Sequence, residues 1–420
     1  MKIKVTELDY DKVISEKKYH HIRPVKQSKL LRKLFYLASI KELKDVDFTC
    51  TLEGMEEIAG DAPCLFLMNH SSFTDLQITA KLLKDRQYHI ICTNDGLVGK
   101  EGIMRRVGCI PTRKFIQDVE LVRDMKYAVD KLGSSILMFP EASYTFDGTA
   151  TPLPDSLGKC VKLLGIPVVM IKTSGAFLRD PLYNLLQKRD VKVSAEVKIL
   201  LNKDAIKKTP VNEINEILRD AFTFDHFREQ FENGIVVDEK FRADGLHRAL
   251  YKCPECHKEG KMEGKGIYIR CNSCNKEYEL LPSGKLTARS GDTKFEYVTD
   301  WYAWQRREVM EEIDENRYSM DFDCDIYMLS DLKSIYKVGE GHLHHDSNGF
   351  VLDGCENRLH YTQKPSASYS LYADYYWYEL GDMICIGDTK CQYYCFPKDQ
   401  KGAIVAKARL ATEEMFKKMR

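Results

Sequence analysis

Short apolar runs alternate with segments of helical periodicity between about residues 60 and 232. The runs have the length of buried strands, and the segments between them repeat apolar positions at helical spacing. The strand segments are PCLFLMN, YHIICTN, SSILMFP, IPVVMIKT and VKVSAEVKILL. The helical segments are 73–84, 117–132, 156–164 and 211–232. This alternation predicts an α/β domain with a mostly parallel sheet and flanking helices.

The C-terminal part has a different pattern. Residues from about 285 to 400 are rich in Tyr, Trp and Phe, and Gly-Asp turns occur at 381–382 and 387–388. These features favour a β-meander. The last segment, KGAIVAKARLATEEMFKKM, has apolar residues at helical spacing. We therefore expect a β-rich domain with a C-terminal helix over 285–420. By element order alone it resembles the pleckstrin-homology-like barrel.

The N-terminal segment 1–48 is predicted to be helical, and the stretch 25–44 carries both apolar and basic residues. A basic amphipathic helix of this kind can lie in a membrane interface and favour anionic lipid. It can equally pack on the sheet with a charged outer face, which is the commoner arrangement. The sequence leaves both open. The residues are Leu30, Leu31, Leu34, Phe35, Leu37 and Ile40, with Lys29, Arg32, Lys33 and Lys41 between them.

Composition narrows the class of protein. The 420 residues are enough for two or three domains, and the 63 basic and 63 acidic residues cancel, so we expect no nucleic-acid partner. The charged N-terminus lacks the apolar region of a signal peptide. No apolar run approaches the roughly 18 residues of a membrane span. With 14 cysteines, these features predict a cytoplasmic protein that contacts the cytoplasmic face of a membrane peripherally.

Four cysteines form two short-spaced pairs in the segment 248–282. Cys253 and Cys256 are followed, after fourteen residues, by Cys271 and Cys274. Two such pairs can surround a tetrahedral Zn²⁺ ion, and four thiolates leave no open position, so the zinc ribbon would be structural and catalysis would need no cofactor. The alternative is four free cysteines. For GHLHHD at 341–346, a polar β-turn is favoured over a second metal site.

The stretch FLMNHSSFTD suggests a reactive pair. His70 follows a predicted buried strand, at the sheet edge where open α/β sheets bind ligands, and Asp75 lies in the first turn of the next helix. A histidine there can take a proton from a substrate hydroxyl while the carboxylate fixes its tautomer. Alternatively, Ser71, Ser72 or Thr74 caps the helix, and Asp75 only favours its positive end.

Three further stretches favour the catalytic interpretation of His70 and Asp75. VGCIPTRK, LMFPEASYTFDG and GIPVVMIKT follow NHSSFTD in order. Together the four resemble the ordered blocks of the glycerol-phosphate and lysophospholipid acyltransferase family: N-H-x4-D, an arginine after G-x-[IVL]-P, F-P-E-G-T-R-S, and [VI]-P-[IV]-[IV]-P-[VI]. The resemblance covers roughly residues 50–210. The sequence differs from the blocks at three positions. It has Ala142 where the blocks have glycine, Tyr144 where they have arginine and Met170 where they have the second proline.

The resemblance implies an acyltransferase domain, which we expect over 49–240, and roles for its block residues. His70 would be the general base on the free hydroxyl of a lysophospholipid, and Asp75 would orient it. Arg113 would grip the acceptor phosphate. Lys100 and its basic neighbours Arg105 and Arg106 can supply charge in place of the missing arginine. Glu141 and Ser143 would position the acceptor glycerol.

The implied reaction transfers a fatty acyl group from acyl-CoA or acyl-carrier protein to lysophosphatidic acid and gives phosphatidic acid. Two alternatives stay open. Because Tyr144 replaces an arginine, the acceptor can be a different lysolipid or alcohol. The chain can also be a non-catalytic protein in which the zinc ribbon and the β-rich unit bind lipid or regulate a partner.

Overall fold

Three sheets organise the computed structural model, which describes residues 2–58, 60–116, 118–399 and 403–419. The N-terminal elements are β1 (Val5–Glu7), α1 (Tyr10–Glu16) and α2 (Lys29–Asp45). The predicted helix at 25–44 is therefore present as α2. The strand β1 was not expected in a helical segment. It pairs in parallel with a strand some 330 residues later, so no local pattern could indicate it.

The middle of the chain forms a seven-stranded sheet, ordered β2-β8-β7-β3-β6-β4-β5. All neighbouring pairs are parallel except β7 with β8. The mostly parallel α/β sheet predicted from the sequence is thus confirmed. Its strands are β2 (Thr49–Glu53), β3 (Leu65–Met68), β4 (Tyr88–Thr93), β5 (Cys109–Thr112), β6 (Ser135–Met138), β7 (Val168–Ser174) and β8 (Ser194–Leu201).

Helices cover both faces of this sheet. Strand β3 shows why its sequence is continuously apolar: Leu65 and Leu67 pack into one core cluster and Phe66 into the other. The predicted helix 211–232 is two helices, because Asp225 caps the second one. The helices are α3 (Thr74–Leu82), α4 (Glu101–Val107), α5 (Val119–Asp130), α6 (Ser156–Leu164), α7 (Ala176–Arg179), α8 (Lys203–Lys208), α9 (Val211–Ala221) and α10 (His226–Glu232).

A small antiparallel sheet follows, ordered β12-β11-β10-β9. The first cysteine pair precedes this sheet, and Cys271 is the last residue of its second strand. The strands are β9 (Met262–Lys265), β10 (Tyr268–Cys271), β11 (Glu277–Leu280) and β12 (Leu286–Ala288).

The C-terminal part, from α11 onward, is called the β unit below. Its sheet is ordered β16-β15-β14-β13-β19-β18-β17, with β1 beside β14. The predicted β-rich unit with a closing helix is confirmed, whereas its likeness to a pleckstrin-homology-like barrel stays a prediction. The elements are α11 (Val298–Asp314), β13 (Ser319–Leu329), β14 (Ile335–Asp346), β15 (Gly349–Gly354), β16 (Leu359–Gln363), β17 (Tyr372–Trp377), β18 (Gly381–Gly387), β19 (Gln392–Pro397) and α12 (Ile404–Lys418).

Two expectations for this unit were wrong. Helix α11 lies where a β-meander was expected. Its aromatic residues Trp301 and Tyr302 do not alternate between the faces of a strand but share a buried helical face with Gln305 and Val309. The segment 341–346 is not a turn but the end of β14, where its residues pair with both β13 and β15.

Candidate active site

His70 lies in the turn between β3 and α3, at the carboxyl end of the sheet. Its Nδ1 is 3.0 Å from Oδ2 of Asp75. The same carboxylate oxygen accepts hydrogen bonds from the backbone N–H of Ser71, at 2.9 Å, and of Ser72, at 3.2 Å. The structure therefore brings the predicted pair together. The cap in the alternative interpretation was wrong, because Phe73 is the N-cap residue of α3 and no side chain of the described residues caps the helix. Asp75 does lie in the first turn, as the alternative also stated.

Burial sets the charge of this pair. Asp75 is fully buried, and its burial raises its pKa to about 7 against the opposing backbone hydrogen bonds. The side chain of His70 is 17% exposed. Its burial, followed by the positive charge of Lys114, holds the pKa of His70 well below its usual range. The burial of His70 and the charge of Lys114 both favour a neutral imidazole. With its Nδ1–H directed to Asp75, Nε2 is left as a proton acceptor.

Two aromatic rings contact the imidazole. The ring centroid of Phe139 lies 4.3 Å away and that of Tyr144 lies 4.1 Å away. Tyr144 is the residue that stands where the acyltransferase blocks have an arginine. The sequence showed this replacement but not its consequence, which is an aromatic contact with His70.

The imidazole lies in the wall of a cavity of about 1150 Å³. This volume is above the usual range for ligand sites, and the lining is mainly apolar, as an acyl chain would require. Apolar residues of the wall come from α2, from the helices beside the sheet and from the β unit. Examples are Phe35, Phe73, Leu121, Met125, Leu163 and Phe416.

Arg113 and Lys100, both predicted to contact the substrate, line the same cavity as His70. The guanidinium of Arg113 is 3.5 Å from the carboxylate of Asp118 and 5.5 Å from the ring centroid of Tyr19. These two contacts hold it at the wall. Arg105, a further candidate, is buried and pairs with Glu101, outside the cavity wall. The roles of Arg113 and Lys100 toward a substrate stay predictions.

Glu141 and Ser143 contact protein groups. The two carboxylate oxygens of Glu141 accept the backbone N–H of His70, at 3.0 Å, and of Thr151, at 2.9 Å. Burial raises the pKa of Glu141 to about 7. Ser143 is buried, and Arg409 of helix α12 donates to its hydroxyl at 3.4 Å. Neither is among the residues of the cavity wall, so a direct contact with acceptor glycerol stays a prediction. The observed contact of Glu141 fixes the backbone of His70.

The β unit supplies a wall of the same cavity, which sequence reasoning missed. Tyr372 and Trp377 both donate to Oδ2 of Asp95, at 2.5 and 3.2 Å. Asp95 belongs to the α/β part, and Tyr372 lies 277 positions further along the chain. No local pattern signals such a contact. The residues of the β unit in the cavity wall include Ser366, Ala367, Tyr369, Tyr372, Asp374, Tyr376, Trp377, Tyr378 and Glu379.

The four cysteines form a separate cluster in which all four sulfur atoms lie within 4.8 Å of one another. Sγ of Cys253 is 3.6 Å from that of Cys274, and Sγ of Cys256 is 3.7 Å from that of Cys271. A tetrahedron of Zn–S bonds has sulfur atoms about 3.8 Å apart. The quartet predicted from the spacing is therefore assembled in a geometry that could hold a metal ion.

The geometry is that of an α/β protein with a histidine–carboxylate pair in the wall of a large, mainly apolar cavity. Comparison with known proteins adds a family match. Residues 49–174 match the family model named Acyltransferase. Over 171 residues the chain is 25% identical to the 1-acyl-sn-glycerol-3-phosphate acyltransferase BAT2, chloroplastic, of Brassica napus, covering 38% of this chain and 43% of that protein. The chain thus spans less than half the length of this curated relative.

A solved structure is also similar, the 1-acyl-sn-glycerophosphate (LPA) acyltransferase PlsC from Thermotoga maritima. The similarity has a TM-score of 0.33 and 15% identity, and covers 46% of this chain and 76% of that one. The family match confirms the resemblance found in the four blocks, and it covers residues 49–174. Within the part of the chain that the structure describes, no helix has the length and apolar character needed to cross a bilayer.

Proposed function

We propose that this protein transfers a fatty acyl group from acyl-CoA or acyl-carrier protein to lysophosphatidic acid and so forms phosphatidic acid. The observation that carries the proposal is the position of His70, paired with Asp75, in the wall of a large apolar cavity that Arg113 also lines. The curated relative, whose name states 1-acyl-sn-glycerol-3-phosphate acyltransferase activity, supports the acceptor.

In this reaction Nε2 of His70 removes the proton from the free hydroxyl of the acceptor. The hydroxyl oxygen attacks the thioester carbonyl, and a new C–O bond forms. The C–S bond then breaks, and the thiolate takes the proton from the imidazolium. Asp75 keeps the proton on Nδ1 and stabilises the imidazolium while it exists. The products are an ester and a free thiol, and no cofactor takes part.

A second acceptor class is supported by one contact. Tyr144 contacts His70 where the acyltransferase blocks have an arginine, so the wall beside the imidazole is more apolar and less positive than the blocks imply. An acceptor with a different lysolipid head group or an alcohol is therefore the alternative.

The experiment is acyl transfer from a labelled thioester to a panel of lysophospholipids, with His70→Ala as the control. Transfer by the unmodified protein that is lost in the variant supports catalysis, and the preferred acceptor distinguishes the two classes. Equal activity of the two proteins excludes catalysis by this pair. No transfer to any acceptor would favour the non-catalytic alternative, in which the chain binds lipid or regulates a partner.

We further propose that the protein works peripherally on the cytoplasmic face of a membrane, with α2 as its contact. Leu30, Leu34 and Leu37 of α2 are 67%, 51% and 50% exposed, and the exposed Lys33 and Lys41 accompany them. Phe35 of the same helix lines the cavity, so α2 joins the proposed membrane side to the acyl site. Replacing the three leucines by serine should weaken sedimentation with anionic vesicles. Unchanged sedimentation would exclude this contact.

The cysteine quartet is proposed to hold one structural Zn²⁺ ion. Four thiolates at these separations suit tetrahedral zinc and leave no position for a substrate. Metal analysis of the purified chain should give about one zinc ion, and Cys253→Ser should lose it and lower the melting temperature. Zinc-free protein of unchanged stability would support four free cysteines instead.

A further inference from the structure

Lys114 is the residue from which the inference starts. It follows Arg113 directly and lines the same cavity as His70. A lysophosphatidate carries its phosphate on the carbon next to the one bearing the free hydroxyl. When His70 contacts that hydroxyl, the phosphate must therefore lie close to the imidazole, and a cation is needed there.

Lys114 is our candidate for that cation. It lines the same cavity as His70, and its positive charge also contributes to lowering the pKa of His70. Arg113 is already held by the carboxylate of Asp118 at 3.5 Å. Lys159, another lysine of the cavity wall, is exposed on α6. Position and charge thus distinguish Lys114 among these side chains.

The β unit holds Lys114 in place. The Nζ atom of Lys114 lies 4.0 Å from the ring centroid of Tyr372, which is a cation–π contact. Burial lowers the pKa of Lys114, and the negative charges of Asp95 and Asp374 oppose this effect and favour the ammonium form. Tyr372 is in turn fixed by its hydrogen bond to Asp95. Two residues of strand β17 therefore keep a lysine of the α/β part at the cavity wall.

We propose that Lys114 binds the phosphate of the acceptor lysophospholipid and that Tyr372 of the β unit positions its ammonium at the cavity wall that His70 also lines. This inference rests on the proposed acyl transfer and gives the β unit a role in it: acceptor selection. A lysine binds phosphate as a compact point charge, so it can serve a phosphomonoester and a phosphodiester head group alike. The acceptor class is then any lysolipid with a phosphate next to the acylated hydroxyl.

The test compares two acceptors, lysophosphatidate and a monoacylglycerol, which lacks the phosphate. Lys114→Met should lower kcat/KM for lysophosphatidate on the order of 10- to 100-fold, mainly through KM, and change that for monoacylglycerol less than about threefold. Lys114→Arg should restore most of the selectivity, since it keeps the charge. Lys159→Met, the same change elsewhere in the wall, should keep the wild-type ratio.

Tyr372 is tested by a matched pair of variants. Tyr372→Phe keeps the ring under the ammonium, whereas Tyr372→Leu removes it. We expect the selectivity for phosphate to survive in the first variant and to fall in the second, with KM of the thioester donor unchanged in both. A merely structural role would lower the rates for both acceptors by the same factor.

The outcomes separate the two proposals. A wild-type protein that transfers to neither acceptor overturns the proposed function and this inference with it. An active wild-type protein whose preference for phosphate persists in Lys114→Met overturns this inference alone, as does an equal loss for both acceptors.

Discussion

Histidine–aspartate contacts in two regions of this molecule differ in burial. His70 and Asp75 meet at the end of β3, inside a cavity wall. On the β unit, His342 is 3.0 Å from Asp323 and 3.1 Å from Asp321, and His344 is 2.7 Å from Asp321. The contacts are equally short. The side chains of these two histidines are, however, 49% and 33% exposed.

The difference in burial shifts the pKa of the histidines in opposite directions in the two regions. Hydrogen bonds to Asp323 and Asp321 raise the pKa of His342, and a hydrogen bond to Asp321 raises that of His344, so both favour the protonated form. Burial lowers the pKa of His70, which favours the neutral form that can accept a proton. A short contact between His and Asp therefore does not identify a catalytic pair. We expect the buried imidazole of His70, which lines a large cavity, to be the one that accepts a proton.

Loss of the His70 imidazole should have the largest effect and is the strongest test of this comparison. His70→Gln should lower acyl transfer on the order of 10²- to 10⁴-fold, because the general base is removed. His342→Gln, the same change in the exposed cluster, should leave the rate within about twofold. Rates measured with a labelled thioester check both. Comparable losses in the two variants would contradict the distinction between the clusters.

Loss of the Asp75 carboxylate should have the second largest effect on acyl transfer. In Asp75→Asn the side chain can still accept the backbone N–H groups of Ser71 and Ser72, but it cannot both do so and stabilise an imidazolium. We expect kcat to fall on the order of 10²-fold with little change in KM. Asp321→Asn serves as the control in the exposed cluster. A rise in KM alone would indicate that Asp75 acts in binding rather than on His70.

Much of the α/β part and its reactive pair could be predicted because their signals are local. The strand before His70 is continuously apolar since both of its faces are buried, and the spacing to Asp75 spans a single turn. The cysteine quartet is also readable from spacing, although its two halves lie fourteen residues apart.

The remainder depends on contacts between distant residues. Strand β1 has no apolar pattern of its own and exists through its pairing with β14. Lys114 gains its neighbour Tyr372 only when the β unit packs on the α/β part. Helix α11 is different, because its helical face was present in the sequence and its aromatic content was wrongly assigned to strands.

The pH dependence of acyl transfer tests the same comparison through a smaller effect. A base must be neutral, so kcat/KM should fall as pH drops through the lowered pKa of His70, below the fall near pH 7 that protonation of Asp75 causes. Lys114→Met removes a positive charge that lowers the pKa of His70, which should raise the pKa of His70 and move the lower of the two falls to higher pH. Asp75 and Tyr144 also face the imidazole and are unchanged in this variant. A lower fall that stays in place would mean that the two charges do not interact.

The smallest effect is on stability and concerns the exposed cluster. Because the folded protein raises the pKa of His342 and His344, their contribution to stability is present below the unfolded pKa of about 6.5 and is lost as pH rises through the folded value. Asp321→Asn removes the shared acceptor. Its melting temperature should lie about a degree below that of the wild type near pH 6 and equal it near pH 9, since exposed pairs contribute little. Thermal denaturation at the two pH values measures this, and a deficit that grows with pH would mean that the imidazoles are neutral in the folded protein.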